Sequence, residues 1–325
     1  MEDAKPSAKP RETMARTLSN QIPEIKHLYQ NYLLDSLRWN FIDFRDDDIV
    51  IATSGKTGTT WTQGVVANLI FSGRDLPAAP IEMSPWLEQR VVPSDLVLSQ
   101  LAQQTHRRFI KTHLPLDGLR YDRRVKYLYV GRDTRDVFMS VWNHYRSFTE
   151  GALTLFNTTP GRIGPEVQPC PDDIHYFWRM FMTRGWFEWE SEGYPFLSPL
   201  RHVQSWWNYR HLPNIHFVHY ADLSADFRAE AQRIADFLEI GVPEESWPAI
   251  IRNCTLAKMR TAAPQDRLRQ VLKGGAETFF YKGTNNRWKE VLTADEIALY
   301  DAAARRALTP ECRRWLENGK SALGN

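Results

Sequence analysis

Short runs rich in β-branched and aromatic residues alternate with longer apolar segments along the chain. The short runs have the length and composition of buried strands, and they predict strands over residues 47–54, 107–113, 125–133 and 214–223. The longer segments predict helices over residues 59–71, 134–148, 200–212 and 225–241. Alternating strands and helices favour a sheet of mostly parallel strands covered on both faces. We therefore predict an α/β fold in which a central, mostly parallel sheet is flanked by helices.

This fold would form a single domain over residues 21–325. The preceding segment at 1–20, MEDAKPSAKPRETMARTLSN, is polar and predicts a disordered tail without the apolar core of a signal peptide. No apolar run is long enough to cross a bilayer. The three cysteines are few and widely spaced, which argues against a disulfide framework or a zinc site. We expect a cytoplasmic protein that needs no metal. The net charge of +2 is too small to indicate nucleic acid as the main partner.

The stretch Glu150–Pro171 is rich in Gly, Pro and Thr and is too long for an ordinary connector. Stretches of this kind are commonly functional lids or disordered segments. We expect it to be mobile and to gate a pocket.

The segment TSGKTGTTW, Thr53–Trp61, contains the Gly-Lys-Thr of a nucleotide-binding P-loop. That pattern requires a first glycine five residues before the Gly-Lys pair. The position is occupied by Val50, and a further glycine, Gly58, follows the lysine instead. The segment therefore predicts a P-loop-like phosphate loop of a different kind.

The position of this loop between a strand and a helix favours an anion site. Backbone N–H groups and the helix dipole attract an anion at such a helix start. Gly58 would let the backbone approach the anion closely, and Lys56 adds a compact positive charge. The hydroxyl donors are Thr57, Thr59 and Thr60. The alternative is a tight turn whose hydroxyls cap the helix, but a cap does not need a lysine.

A second strand–helix junction lies in YVGRDTRDVFMS. Arg132 stands where a predicted strand ends, and Ser140 lies two turns into the following helix. A charged group and a hydroxyl can converge there on a second anion. The alternatives are a salt bridge from Arg132 to Asp133 or Asp136 and a neutral helix position for Ser140.

The segment FFYKGTNNRWK, residues 279–289, forms a third candidate anion loop. Lys282 and Gly283 precede polar, turn-forming residues, so that a charge and free backbone donors lie together. Taken alone, the segment is more typical of a solvated surface turn.

The segment IKTHLPL brings Lys111 and His113 to the end of a predicted strand. The two residues are two positions apart and so share one face of the strand. A lone histidine is more often structural than catalytic. At the carboxyl end of a strand near two anion sites, His113 becomes a candidate general base.

Taken together and in this order, these four segments resemble the cytosolic sulfotransferase family. That family takes its sulfuryl group from 3′-phosphoadenosine 5′-phosphosulfate (PAPS) and leaves 3′-phosphoadenosine 5′-phosphate (PAP). SGKTGTTW is similar to its 5′-phosphosulfate loop, YVGRDTRDVFMSVW to its 3′-phosphate segment, FFYKGTNNRWK to its C-terminal Lys-Gly loop and KTHLP to the stretch with its catalytic histidine. The resemblance extends from about Asp47 to about Lys289.

The resemblance implies a role for each matching residue. The residues implied to hold the 5′-phosphosulfate are Lys56, Thr57, Gly58, Thr59 and Thr60, with Trp61 stacked on the adenine. The residues implied at the 3′-phosphate are Arg132, Ser140, Lys282 and Gly283, and those implied near the adenine are Tyr220, Thr255 and Leu256. His113 would remove the acceptor's proton, and Lys56 and Lys111 would stabilise charge on the transferring group.

Two positions depart from the family pattern. Tyr281 replaces the arginine that usually precedes Lys-Gly, and Arg287 is a possible substitute for the lost phosphate contact. Of the family's short dimerisation motif only Lys289 and Thr293 remain, so that both a monomer and a homodimer stay open.

The acceptor is predicted to be a small hydroxylated molecule, aromatic or hydrophobic. The aromatic candidates for its pocket are Trp86, Trp142, Phe148 and Trp178, any of which could instead belong to the core. Two other functions remain open at this point, a P-loop kinase and a non-catalytic nucleotide-binding module. The missing first glycine argues against the kinase, and Lys111 with His113 argues against the binding module.

Overall fold

Four parallel strands form the centre of the protein, which is described here from a computed structural model. The structure describes residues 22–322, and the predicted tail at 1–20 lies outside the described residues. The strands are β1 (Ile49–Thr53), β2 (Phe109–Thr112), β3 (Lys126–Gly131) and β4 (Ile215–His219). Their order in the sheet is β2-β1-β3-β4, and each neighbouring pair is parallel. The predicted α/β fold with a parallel central sheet is confirmed.

Helices surround this sheet. In chain order they are α1 (Thr59–Ile70), α2 (Pro80–Met83), α3 (Ser94–Gln103), α4 (Thr134–Tyr145), α5 (Glu150–Thr158), α6 (Ile174–Thr183), α7 (Pro199–Trp207), α8 (Tyr220–Ala225), α9 (Phe227–Phe237), α10 (Trp247–Asn253), α11 (Leu256–Ala262), α12 (Gln265–Val271), α13 (Gly275–Phe279), α14 (Ala294–Ala307) and α15 (Pro310–Asn318). Short 3₁₀ helices lie at Ser36–Phe41, Leu116–Gly118, Glu244–Ser246, Arg287–Glu290 and Gly319–Ala322.

The sheet is buried on both faces, which explains why its strands read as continuous apolar runs. Val50 and Ala52 of β1 pack into one core cluster, whereas Ile49 and Ile51 pack into another on the opposite face. Alternate side chains of a strand point to opposite faces, so both sets must be apolar when helices cover both sides.

All four strands end at the same edge of the sheet, and a polar residue follows each end. Ser54 follows β1, His113 follows β2, Arg132 follows β3 and Tyr220 follows β4. The chain passes from β1 to β2 on one side and then crosses to β3 on the other side of β1. A crevice beyond the carboxyl ends of the strands, at such a reversal, is the usual ligand site of an open α/β sheet.

The prediction of a loop over Glu150–Pro171 is wrong for its first nine residues, which form α5. The Thr149 side chain caps this helix by accepting a hydrogen bond from the Ala152 amide, 3.1 Å away. Ala152 and Phe156 are one turn apart and are both buried. A capping threonine and this apolar spacing outweigh the Gly and Thr content that predicted a loop. The gating role stays a prediction.

Candidate active site

A cavity of about 1100 Å³ opens at the carboxyl edge of the sheet. The cations that line it are Lys56, Lys111, Arg132, Arg267, Lys282 and Arg287. Among residues 22–322, Glu82 is the only acidic residue on its wall. Six cations against one acid make a site for a multiply charged anion.

The loop between β1 and α1 presents its backbone to this cavity. Gly58 stands at the helix start with φ of 108°, and Lys56 has φ of 68°. A Cβ atom on Gly58 would lie 2.7 Å from the ring of Tyr220, so the position requires glycine for both space and conformation. The Thr57 hydroxyl donates to the Ser54 carbonyl oxygen at 3.0 Å and closes the turn. No side chain caps α1, so the N–H groups of its first turn remain for a ligand.

Burial lowers the pKa of both lysines near this loop. The pKa of Lys56 falls to about 8, mainly through burial and then through the charges of Lys111 and Arg132. The pKa of Lys111 also falls to about 8, mainly through burial, while the Glu88 carboxylate opposes the shift. Each ammonium lies close to an aromatic ring, with Lys56 Nζ 4.7 Å from the centre of Phe279 and Lys111 Nζ 4.1 Å from that of Trp86. The charged form of each lysine would gain from a nearby anion.

His113 is held in one tautomer. Its Nδ1 lies 2.8 Å from the Thr53 carbonyl oxygen, which can only accept, so Nδ1 carries the proton. The Nε2 atom therefore has a free lone pair. Burial, together with the charge of Lys111, holds the pKa of His113 well below its usual value. The ring is thus neutral near pH 7 and is able to accept a proton at Nε2.

The other end of the cavity is built around Arg132. Its guanidinium group lies over the Tyr220 ring, 4.1 Å from the centre. Arg132 donates from Nε to the Asn285 side-chain oxygen at 3.0 Å and from Nη2 to the Thr284 carbonyl at 2.9 Å. The Tyr220 hydroxyl donates to the Gly283 carbonyl at 2.9 Å. These contacts fix the loop after Lys282 against the end of β3.

The site thus combines a backbone anion loop, a neutral histidine and a second cationic end. A comparison of the chain with known protein families finds one family that matches it. The family described as "Sulfotransferase domain" matches residues 46–310. The chain belongs to the sulfotransferase family. It is therefore a sulfotransferase.

Two curated relatives and one solved structure illustrate the likeness. A "Glycolipid sulfotransferase" of Mycobacterium bovis is 32% identical over 309 residues, covering 90% of this chain and 94% of the relative. "Sulfotransferase 1A1" of Rattus norvegicus is 28% identical over 280 residues, covering 81% and 85%. The crystal structure of mouse sulfotransferase SULT7A1 complexed with PAP superposes with a TM-score of 0.63 at 21% identity, covering 86% of this chain and 91% of that one.

The sulfotransferase cavity brings together most of the residues predicted for donor binding and for catalysis. Those on its wall are Lys56, Gly58, Thr59, Thr60, Trp61, Lys111, His113, Arg132, Ser140, Tyr220, Thr255, Leu256, Tyr281, Lys282 and Gly283. Thr57 does not line the cavity because its hydroxyl is turned to Ser54 and the residue is buried. The Trp61 indole N–H donates to the Cys254 carbonyl at 3.0 Å, which fixes the ring beside the segment at Thr255 that is predicted to lie near an adenine.

The aromatic residues predicted for the acceptor pocket divide into two pairs. Trp86 and Phe148 line the cavity. Trp178 and Trp142 do not, and the prediction is wrong for both. Trp178 is fully buried, and its indole N–H donates to the Glu296 carbonyl at 2.9 Å. Trp142 is buried against Phe177 on the opposite side of α4 from the cavity. Aromatic composition alone does not distinguish a core ring from a pocket ring.

Among described residues, neither a membrane-crossing helix nor a metal-binding cluster stands out. No helix within residues 22–322 has the length and apolar character needed to cross a membrane. In the same residues, no group of three or more His, Cys, Asp or Glu side chains is placed to hold a metal ion.

Sequence analysis missed a fully buried acidic residue, Glu88, which binds Trp86, Thr112 and the His113 backbone at the end of β2. Its Oε1 accepts hydrogen bonds from the Trp86 indole at 2.6 Å, the Thr112 hydroxyl at 3.0 Å and the His113 amide at 2.7 Å. Its Oε2 accepts from the Trp39 indole at 2.8 Å. Burial raises the pKa of Glu88, and the hydrogen bonds from the His113 amide and the two indoles oppose this shift. Four donors, with no hydrogen-bond acceptor beside the carboxyl group among residues 22–322, favour the carboxylate. A single acid within SPWLEQR gave no pattern from which this role could be predicted.

We predict that Glu88→Gln lowers the pKa of Lys111 further below about 8, because the carboxylate charge that opposes its shift is lost. The measurement is a pH titration of the lysine signals by NMR with ¹³C-labelled lysine, assigned with Lys111→Arg. The matched control is Trp39→Phe, which removes one donor to Glu88 but keeps its charge. A Lys111 pKa that moves equally in both variants would make Glu88 a packing residue only.

Proposed function

We propose that this sulfotransferase transfers the sulfuryl group of PAPS to a hydroxyl of a small, hydrophobic or aromatic acceptor, with His113 as general base. The observation that carries the proposal is one cavity that joins the free Nε2 of a neutral His113 to two cationic anion sites. A kinase is less well supported. Val50 is a buried β1 residue where a P-loop has glycine, and Glu82 is the only acidic wall residue among those described that could hold magnesium.

The residues present fit the donor. Lys56, Gly58, Thr59 and Thr60 would hold the 5′-phosphosulfate through the uncapped start of α1, with Thr57 keeping the turn in shape. Arg132 and Ser140 would hold the 3′-phosphate, with Lys282 and Gly283 above it. Trp61, Tyr220, Thr255 and Leu256 would surround the adenine. PAPS supplies an activated sulfuryl group on a good leaving phosphate.

Arg287 is the best candidate to replace the arginine missing at Tyr281. Its guanidinium group lies 5.0 Å from the centre of the Tyr281 ring, and it lines the same cavity as Arg132. Burial is the main cause that lowers the pKa of Arg132, and Tyr220 and Asp136 oppose it. The charge of Arg287 lowers this pKa further, which indicates that the two cations are close. A 3′-phosphate between them would relieve this repulsion.

The protein residues divide the chemical work. His113 takes the acceptor's proton at Nε2, and its Nδ1–H remains on the Thr53 carbonyl oxygen. Lys111 and Lys56, in their protonated forms, stabilise negative charge on the transferring group and on the oxygen that leaves. Sulfuryl transfer, like phosphoryl transfer, depends mainly on in-line positioning and on this charge stabilisation.

The walls of the acceptor half are largely apolar. They include Trp86, Val91, Val92, Val97, Phe148, Leu155, Phe156 and Phe181. An apolar pocket with a few polar groups suits phenols, hydrophobic alcohols and the apolar part of a lipid. The mycobacterial relative is called a glycolipid sulfotransferase, which supports an acceptor with a large apolar part.

We predict that the protein binds PAP on the order of a hundredfold more tightly than adenosine 5′-phosphate, because two charge-assisted contacts contribute roughly 1.5–3 kcal/mol each. Arg132→Ala should remove most of this preference through lost PAP affinity. Isothermal titration calorimetry with both nucleotides measures it. The control is Arg124→Ala, an exposed arginine near the other end of β3. Equal binding of the two nucleotides by the wild type would argue against PAPS as the donor.

We predict that His113→Ala lowers kcat on an aliphatic alcohol by about 10²–10⁴-fold, the usual effect of losing a general base. The loss should be smaller on an acidic phenol, whose proton leaves more readily. PAP affinity should stay near that of the wild type. Steady-state kinetics with both acceptors measures the difference. Near-normal turnover of the alcohol by the variant would exclude His113 as the base.

We predict that PAP binding takes up on the order of one proton at about pH 8.5. The pKa values of Lys56 and Lys111 are about 8 in the free protein, so both are then mostly neutral. The nucleotide's charge favours their protonated forms and raises both pKa values, while its own phosphates are already ionised. Affinity should therefore weaken as the pH rises above about 8. Calorimetry in two buffers of different ionisation enthalpy counts the protons, and Lys56→Met should take up fewer. Proton release on binding would contradict the assignment.

A further inference from the structure

His144 lies on the wall of the cavity, although nothing in the reaction described above uses it. On α4 it stands one turn beyond Ser140, and both residues face the cavity together with Val137 and Val141. This spacing is that of one helix face. Asn143 of the same helix also lines the cavity, and its side-chain amide donates to the Thr278 carbonyl oxygen at 3.2 Å. The polar side chains that α4 brings to the cavity are therefore Ser140, Asn143 and His144.

The surroundings of His144 place it near the reacting groups. Its ring meets the edge of Phe148, 5.1 Å between centres, and that of Phe279, 6.1 Å between centres. Phe279 is also the ring that lies 4.7 Å from Lys56 Nζ. Burial holds the pKa of His144 well below its usual value, and Lys56, Lys111 and His113 add to this effect. The ring is neutral and belongs to the same electrostatic neighbourhood as the three catalytic residues.

The two nitrogens of this neutral ring are not equivalent. The Nδ1 atom has no exposure and no hydrogen-bond partner among the described residues. A proton on Nδ1 would leave a buried N–H donor without an acceptor, which is rarer in proteins than an unused acceptor. The proton therefore belongs on Nε2. The ring as a whole is only partly buried, so Nε2–H is the group that can meet a ligand.

We propose that His144 is a specificity-determining residue whose Nε2–H donates a hydrogen bond to a second oxygen of the acceptor, adjacent to the hydroxyl that is sulfated. The preferred acceptors would then be ortho-dioxygenated phenols or vicinal diols, including those of sugar and glycerol groups, rather than simple phenols and alcohols. This inference rests on the proposed function, because it names the acceptor class for the same cavity.

A second oxygen fits the arrangement better than the reacting one. The reacting hydroxyl already has His113 for its proton and Lys111 for its charge, and both stand at the end of β2. His144 comes from a different element, α4, and carries no charge. A neutral donor set among Phe148 and Phe279 suits an ether or hydroxyl oxygen. An acceptor without this oxygen would leave the donor unpaired against an apolar group, and such sites discriminate strongly against the analogue that lacks the polar atom.

The test compares 2-methoxyphenol with 2-ethylphenol. The two have similar size and a single sulfatable hydroxyl, and they differ in the second oxygen. For the wild type with PAPS, we expect kcat/KM to favour 2-methoxyphenol by about tenfold or more, equal to roughly 1.4 kcal/mol. In His144→Phe the ratio should fall to near one. In His144→Gln, whose amide nitrogen reaches close to the position of Nε2, a large part of the preference should return.

Two further measurements keep the outcomes separate. PAP affinity by calorimetry shows whether a variant retains the folded donor site, so that a general loss is not taken for a loss of specificity. The affinities of the two phenols for the PAP-bound protein measure the hydrogen bond from His144 to the second oxygen without turnover. Equal affinities for the two phenols in the wild type, or an unchanged ratio in His144→Phe, would overturn the role of His144. Binding of both phenols without any PAPS-dependent sulfation would instead count against the proposed function.

Discussion

The parallel register of the four strands is the constraint on which the site depends. Ala52 pairs with Thr112, Thr53 with Val130 and Gly131 with His219, so all strands end within about one residue of the same line. The residue after each strand end is thereby delivered to one edge of the sheet. Segments that are far apart in the chain, such as the phosphate loop and His113, become neighbours, and the His113 ring can then bond the Thr53 carbonyl oxygen.

This arrangement concentrates positive charge in one cavity, where Lys56 and Lys111 are partly buried. The pKa of Lys56 is about 8 in the folded protein, below its ordinary value of 10.5. Protonation of Lys56 therefore destabilises the folded state fully below about pH 8, and this destabilisation is lost as the pH rises from about 8 to 10.5. Lys111 behaves in the same way, although Glu88 offsets part of the effect. The cations are retained because an anionic ligand would satisfy them, as is common where activity and stability make opposite demands.

Buried polar groups around the cavity hold the His113 backbone and ring in one position and one tautomer. Glu88 accepts four hydrogen bonds and holds the His113 backbone, and the Thr53 carbonyl selects the tautomer of the His113 ring. His144 differs from both because its Nδ1 has no partner within the described chain. The missing Nδ1 partner assigns the proton of the neutral His144 ring to Nε2, which is the nitrogen that remains for a ligand.

The sequence by itself determined the parallel α/β architecture and located most of the residues that are proposed to bind the donor. Strand periodicity and loop composition are local properties, and Lys56, His113 and Arg132 could be located because each follows directly from a strand end. Only the tertiary structure decided which aromatic rings face the cavity, since Trp178 is enclosed by the core and Phe148 lies on the cavity wall, and both outcomes depend on packing against distant segments. It alone revealed Glu88 and His144 as well. Their roles depend on hydrogen bonds, or on the lack of them, between segments that no local pattern connects.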